Sequence, residues 1–201
     1  MLNLIKRDAI IQKKQLYIFI PFMLFFIVMQ VPPILLFLVI SIYIPLNAYA
    51  YDEKAETNVL LNSLPYTRKQ IIAARYIGSV FYIGLSVILA VGLLLLLNQP
   101  FKWIDVGIGV TSSILFTSIA FPMFYIFKRG YVSLGIMIAF FALVGFVPRI
   151  LPKVAVQLST LVNFVQQLSL PTIYGSVAVI TLIIYLISWL ITMMIYERKA
   201  F

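Results

Sequence analysis

Side chains equipped for polar chemistry gather in one stretch of this chain, residues 51–75, YDEKAETNVLLNSLPYTRKQIIAAR. The carboxylates Asp52, Glu53 and Glu56 lie there beside the cations Lys54, Arg68, Lys69 and Arg75. Cysteine and histidine are absent from the whole chain. That removes thiolate chemistry, disulfides, the usual imidazole metal ligand and the neutral-pH proton carrier. No G-x-x-x-x-G-K-[S/T] segment occurs, so the chain has no phosphate-cradling loop of that kind. No catalytic, cofactor-binding or metal-binding residue is expected. What the stretch offers instead is recognition, through an apolar ridge of Val59, Leu60, Leu61 and Leu64 set among charges. A ridge of this kind suits a helix that lies in a groove of a soluble partner. The plainer reading is a connector whose charges keep it in water and fix its side of a membrane.

Local signals give the stretch a helix, a break and a second helix start. Asp52 and Glu53 are expected at a helix N-terminus, where negative charge is favoured. The ridge stops at Pro65, because proline disfavours α-helical backbone in the residue before it. Thr67 with Gln70 matches a capping box, and Tyr66 with Ile71 fills the hydrophobic-staple positions around it. A new helix should therefore start near Thr67 and run on past Arg75.

The elements on either side belong to a membrane. The chain of 201 residues is 63% hydrophobic and 10% charged, with a mean hydropathy of +1.08; ordinary soluble domains are about 25% charged. The +9 net charge comes from basic residues flanking apolar runs, which points to membrane orientation rather than to nucleic acid. Six spans are expected, at about 16–29, 34–50, 76–97, 106–127, 131–146 and 172–196. Gln30-Val31-Pro32-Pro33 ends the first span and Asn98-Gln99-Pro100 the third, since proline resists helix continuation. Residues 1–15 carry Lys6, Arg7, Lys13 and Lys14 with Leu2, Ile5 and Ala9 on one stripe, which predicts an interfacial helix. Residues 153–170 place Val154, Leu158, Leu161, Val165 and Leu168 on one helical face, which predicts a second interfacial helix, on the outer side. The expected fold is thus all-α, a single polytopic transmembrane domain over 1–201 with both termini cytoplasmic. In that arrangement the inner segments hold twelve basic residues: Lys6, Arg7, Lys13, Lys14, Lys54, Arg68, Lys69, Arg75, Lys128, Arg129, Arg198 and Lys199. The outer segments hold three, Lys102, Arg149 and Lys153, as the positive-inside rule expects.

Every Asp, Glu, Lys and Arg is expected at a span's end or in a loop. Intramembrane ionisable groups usually mark ion pathways, so their absence counts against a proton-coupled transporter, a voltage sensor and an intramembrane metalloprotease. Coupling to sodium through carbonyls and hydroxyls stays open. The expected fourth span carries the small residues Gly107, Gly109, Ser112, Ser113, Ser118 and Ala120, which let neighbouring helices approach closely in lipid.

The opening LNLIKRD, the acidic DEKAE and the phrase LLNSLPYTRKQIIAARYIG, within a six-span layout, resemble the membrane subunit of bacterial type-2 ABC exporters. Members of that family commonly show an LP-(aromatic or small)-(Ser/Thr)-R-(Lys/Glu)-x-I stretch after the second span, here Leu64 to Ile71. The likeness extends to small stand-alone permeases similar to staphylococcal exporters of phenol-soluble modulins. It implies that residues 51–75 form a cytosolic coupling helix seated on a separate ATPase subunit, through Asp52, Glu53, Glu56, Leu60, Leu61, Leu64, Pro65, Thr67 and Arg68. ATP and magnesium would then reside on that ATPase and no cofactor on this chain. It further implies a bacterial plasma-membrane location, an elbow helix at 1–15, short outer helices at 153–170, and a second membrane subunit, identical or not. An amphipathic or hydrophobic cargo, such as a peptide, an antimicrobial or a lipid-like molecule, would leave the cell past Thr111, Ser112, Thr117 and Ser118, groups that in most membrane helices serve packing. A scaffold or sensor that docks a cytosolic protein by the same loop fits the stretch equally well. With no native cysteine, topology is directly testable: a cysteine at Gln157 or Asn163 should react with an impermeant maleimide on whole cells. Labelling only after permeabilisation would invert this half of the layout.

Overall fold

The structure, a computed structural model, describes residues 17–54, 67–126, 135, 138, 145–146 and 169–198, with the backbone alone for residues 46 and 48–54. The described residues are helical throughout their long segments, which form α1 (Tyr17–Val28), α2 (Pro33–Lys54), α3 (Arg68–Leu96), α4 (Trp103–Ile126) and α5 (Leu170–Arg198). Helix is the form such apolar segments must take in lipid, because it satisfies every backbone N–H and C=O within the segment. Among the described residues α3, α4 and α5 are long and apolar enough to cross a membrane, while α1 and the apolar part of α2, Pro33–Pro45, are shorter. The chain is thus a multi-pass membrane protein. The expected helices at 1–15 and 153–170 and the expected span at 131–146 lie outside the described residues, apart from isolated positions in the last.

The helix ends follow their sequence signals closely. α1 ends with Gln30 in the left-handed region at φ 51°; Gln30 N–H bonds Ile27 O at 3.0 Å and Val31 N–H bonds Phe26 O at 3.3 Å. α3 ends the same way, with Asn98 at φ 51°, Asn98 N–H on Leu95 O at 3.2 Å and Gln99 N–H on Leu94 O at 2.9 Å. Both are Schellman closures that give terminal carbonyls a donor. Proline follows each, and Pro33 itself opens α2, where its missing N–H leaves nothing unpaired. At the start of α4, Asp105 accepts from Lys102 N–H at 3.0 Å.

One expectation is corrected. Asp52 and Glu53 do not open a new helix; α2 runs through them to Lys54, since no breaker stands between Leu46 and Lys54. Arg75 lies inside α3, as a helix start near Thr67 requires, and is 9% exposed, with its guanidinium 5.9 Å from the centre of the Tyr125 ring. α3 starts at Arg68 and continues for 29 residues, about 44 Å at 1.5 Å per residue. That exceeds a hydrocarbon core of about 30 Å, so Arg75 still falls near one end of the apolar run.

α3 contributes to both main cores. At its start Ile71, Ile72, Ala74 and Tyr76 pack with Phe121, Tyr125, Tyr185 and Tyr196 from α4 and α5. Further along, Tyr82, Ala90 and Leu94 pack with Phe19, Met23, Ile27, Leu36, Phe37, Ile40 and Ile44 from α1 and α2. α5 runs antiparallel to α3, as Arg68 meets Glu197 and Ser79 meets Tyr185. α4 and α5 run in the same direction, Ser118 beside Ser188 and Tyr125 beside Tyr196. Ile126 and Leu170 therefore lie at opposite ends of the bundle. Arg68, Lys69 and Arg198 mark one end, Lys102 and Asp105 the other.

α2 and α4 touch at Gly109. A β-carbon there would sit 2.5 Å from Phe37 Cβ and 3.3 Å from Leu38 N; Ser113 Oγ donates to Gly109 O at 2.7 Å and lies 3.4 Å from Leu38 O. Gly109→Ala must push the helices apart and should cost about 1–3 kcal/mol, the range for overpacking. Gly107→Ala, which meets open space, should not. Thermal unfolding of both variants in detergent checks the difference.

Candidate functional site

The residues singled out in the sequence fall into three groups. Asp52 and Glu53 occupy the last turn of α2. Glu56, Leu60, Leu61, Leu64 and Pro65 lie outside the described residues. Thr67 and Arg68 stand at the basic end of the bundle. Thr67 has extended backbone (φ −71°, ψ 149°) and is the N-cap of α3: its Oγ1 accepts from Gln70 N–H at 3.3 Å and its own N–H donates to Gln70 Oε1 at 3.1 Å. The expected capping box is thus formed. Arg68 Nη1 donates to Glu197 O at 2.7 Å, and Lys69 Nζ lies 3.8 Å from Glu197 Oε1. The chain that leaves the polar stretch is therefore held to the far end of α5.

The four hydroxyls grouped as a cargo lining separate. Thr111 and Ser112 line an open groove of about 750 Å³ between the opposite ends of α4 and α5, with Trp103, Ile108, Ile173 and Tyr174 among its walls. Thr117 and Ser118 are buried, and both hydroxyls return to Ile114 O, at 2.9 and 2.7 Å. They serve helix packing.

A polar constellation not foreseen from sequence lies between these regions. Pro122 sits inside α4 and has no N–H for the carbonyl four residues earlier, which is Ser118. Ser188 Oγ of α5 donates to that carbonyl. A hydroxyl has one proton, so Ser188 must accept from Tyr76 OH, 2.8 Å away. Tyr76 in turn accepts from Thr192 Oγ1 at 2.7 Å. The relay Thr192 to Tyr76 to Ser188 to Ser118 joins α3, α4 and α5 and fixes every proton's direction. Beside it Tyr185 OH and Ser79 Oγ reach Tyr76 O at 2.7 and 2.8 Å and each other at 2.7 Å. Tyr76 is stacked on Trp189 at 5.9 Å and edge-on to Phe121 at 4.9 Å.

The signal for this cluster is present in α5. Its buried residues are Thr181, Tyr185, Ser188, Thr192 and Tyr196, hydroxyls at spacings of four, three, four and four. They form one polar stripe on an otherwise apolar helix. Among the described residues no group of three or more His, Cys, Asp or Glu is placed to hold a metal. The constellation holds α3, α4 and α5 in register.

The family model described as ABC-2 family transporter protein matches residues 3–197. No curated protein and no solved structure matches the chain.

The relay sets an order of costs. Tyr76→Phe leaves Ser188 on Ser118 O and should cost roughly 0.6 kcal/mol, at most about 1.7, as for other hydrogen bonds between membrane helices. Ser188→Ala leaves the buried Ser118 carbonyl without its donor and removes the acceptor of the Tyr76 proton, and should cost about 1–3 kcal/mol. Reversible unfolding in mixed micelles measures both; the reverse order would refute the assigned proton directions.

Proposed function

The chain belongs to the ABC-2 family of transporter proteins, and from that premise we propose that it is the transmembrane permease subunit of an ATP-binding cassette exporter. A separate cytosolic ATPase subunit supplies the energy, carrying the ATP and magnesium. The observation that carries the reading is the construction of the basic end. The polar stretch between α2 and α3 leaves one helix at Lys54 and enters the next through a closed capping box at Thr67. A push on that stretch meets a stiff helix rather than a slack loop.

In this reading Asp52, Glu53, Glu56, Leu60, Leu61, Leu64, Pro65 and Thr67 belong to the coupling surface, on the cytoplasmic side. The excess of basic residues at that side supports the orientation. Six spans are consistent with α4 and α5 running the same way, because a crossing between Ile126 and Leu170 would return the chain. Two membrane subunits pair, and an amphipathic or hydrophobic cargo moves past the groove that holds Thr111 and Ser112. Nucleotide-driven closure of the ATPase acts by favouring one of two membrane arrangements, and it can do so only through contacts that differ between them.

Purified alone into liposomes the chain should show neither nucleotide turnover nor ion-driven uptake. A pull-down in mild detergent should bring down a soluble ATPase, and adding it should give turnover that is lost when its phosphate-loop lysine is replaced. Leu61→Asp with Leu64→Asp should abolish the pairing while leaving membrane insertion intact. Uptake driven by a sodium or proton gradient without an ATPase would overturn the reading, and binding of a cytosolic protein without any turnover would favour a scaffold.

A further inference from the structure

The first turn of α3 grips the last turn of α5. Arg68 Nη1 donates to Glu197 O at 2.7 Å and, more weakly, to Tyr196 O at 3.5 Å. These carbonyls belong to the last turn of a helix, where no intrahelical donor is available and where the helix dipole is negative. One guanidinium nitrogen, Nη1, reaches both of them, and its positive charge suits the negative end of the helix. Lys69 adds an ion pair to the Glu197 side chain at 3.8 Å. Behind the contact Tyr196 is fully buried and packs edge-on against Tyr125 at 5.2 Å, so the end of α5 is seated in the core. On the other side of Arg68 stands Thr67, the cap of α3. No residue separates the cap from the grip.

Resting on the docking reading above, we propose that Arg68 is a positioning residue that fastens α5 to the start of α3. A displacement delivered by the ATPase to the polar stretch then moves two helices as one unit. The hydroxyls of α5 continue the attachment along α3, through Thr192 and Ser188 on Tyr76 and Tyr185 on Ser79. The far end of the same helix forms one wall of the groove opposite Thr111 and Ser112. Movement at the basic end thus reaches the proposed cargo path through α5. Arg68 acts inside the permease, and its role is separate from contact with the ATPase.

The full chain without native cysteines takes spin labels at Ile77→Cys and Arg198→Cys, both exposed positions, in lipid nanodiscs. With Arg68 present the distance distribution should be narrow, and it should stay unchanged when the co-purifying ATPase and a non-hydrolysable ATP analogue are added. Arg68→Gln should broaden the distribution already in the chain alone and make it depend on nucleotide, and Arg68→Lys should restore part of the narrow population. Binding of the ATPase, measured on the same discs, should not follow that ranking. A narrow, unchanged distribution in Arg68→Gln would overturn the proposal, as would a loss of ATPase binding with the distance intact, which would make Arg68 a docking contact. If no ATPase binds, the docking reading fails, and a narrow distribution in Arg68→Gln alone still decides against the fastening.

Discussion

The carbonyl of Ser118 is the point on which the middle of the bundle depends. Pro122 strips it of its helical donor, and lipid offers no water to replace one. A neighbouring helix must therefore supply a proton. Ser188 does so, and its own lone pairs then call for a donor, which Tyr76 provides. One missing N–H thus recruits side chains from two other helices and sets their register. Apolar contacts among Leu and Ile cannot do this, because helix faces are scarcely more apolar than the lipid they would leave.

α3 is the helix that gathers these constraints. It is capped at Thr67, tied to α5 by Arg68 and Tyr76, and packed on α1 and α2 by Tyr82, Ala90 and Leu94. α4 is fixed from two sides, by the glycine contact with Phe37 and by the Ser118 carbonyl. The faces left outward on α5, including Ile183, Ile187, Leu190 and Met194, are exposed and apolar. They are the natural surface for acyl chains or for another membrane subunit.

Much of this was legible in the chain. Helix ends announced themselves through proline, Asn98 and the Thr67–Gln70 pair, because capping depends on a few neighbouring residues. Membrane character followed from composition. The acidic pair at 52–53 misled, since charge preference at a helix terminus is weaker than the absence of any breaker. The burial of Arg75 was not legible for another reason: its place over the Tyr125 ring is a contact between two helices. The hydroxyl relay escaped because Ser and Thr in membrane helices usually bond their own backbone, as Thr117 and Ser118 do here. Only the coincidence of Pro122 with a serine stripe on another helix distinguishes Ser188, and that coincidence is tertiary.

The two tight closures at Gln30 and Asn98 bear on how the protein is made. Each turn supplies N–H donors to two terminal carbonyls of its helix, and the first stands in a stretch, residues 15–51, without a charged side chain. The first tip can therefore pass through hydrocarbon without an ion, whereas the second takes Lys102 and Asp105 with it. α1 and α2, already packed through Phe19 and Tyr43, are thus able to enter the bilayer as a preformed pair during synthesis.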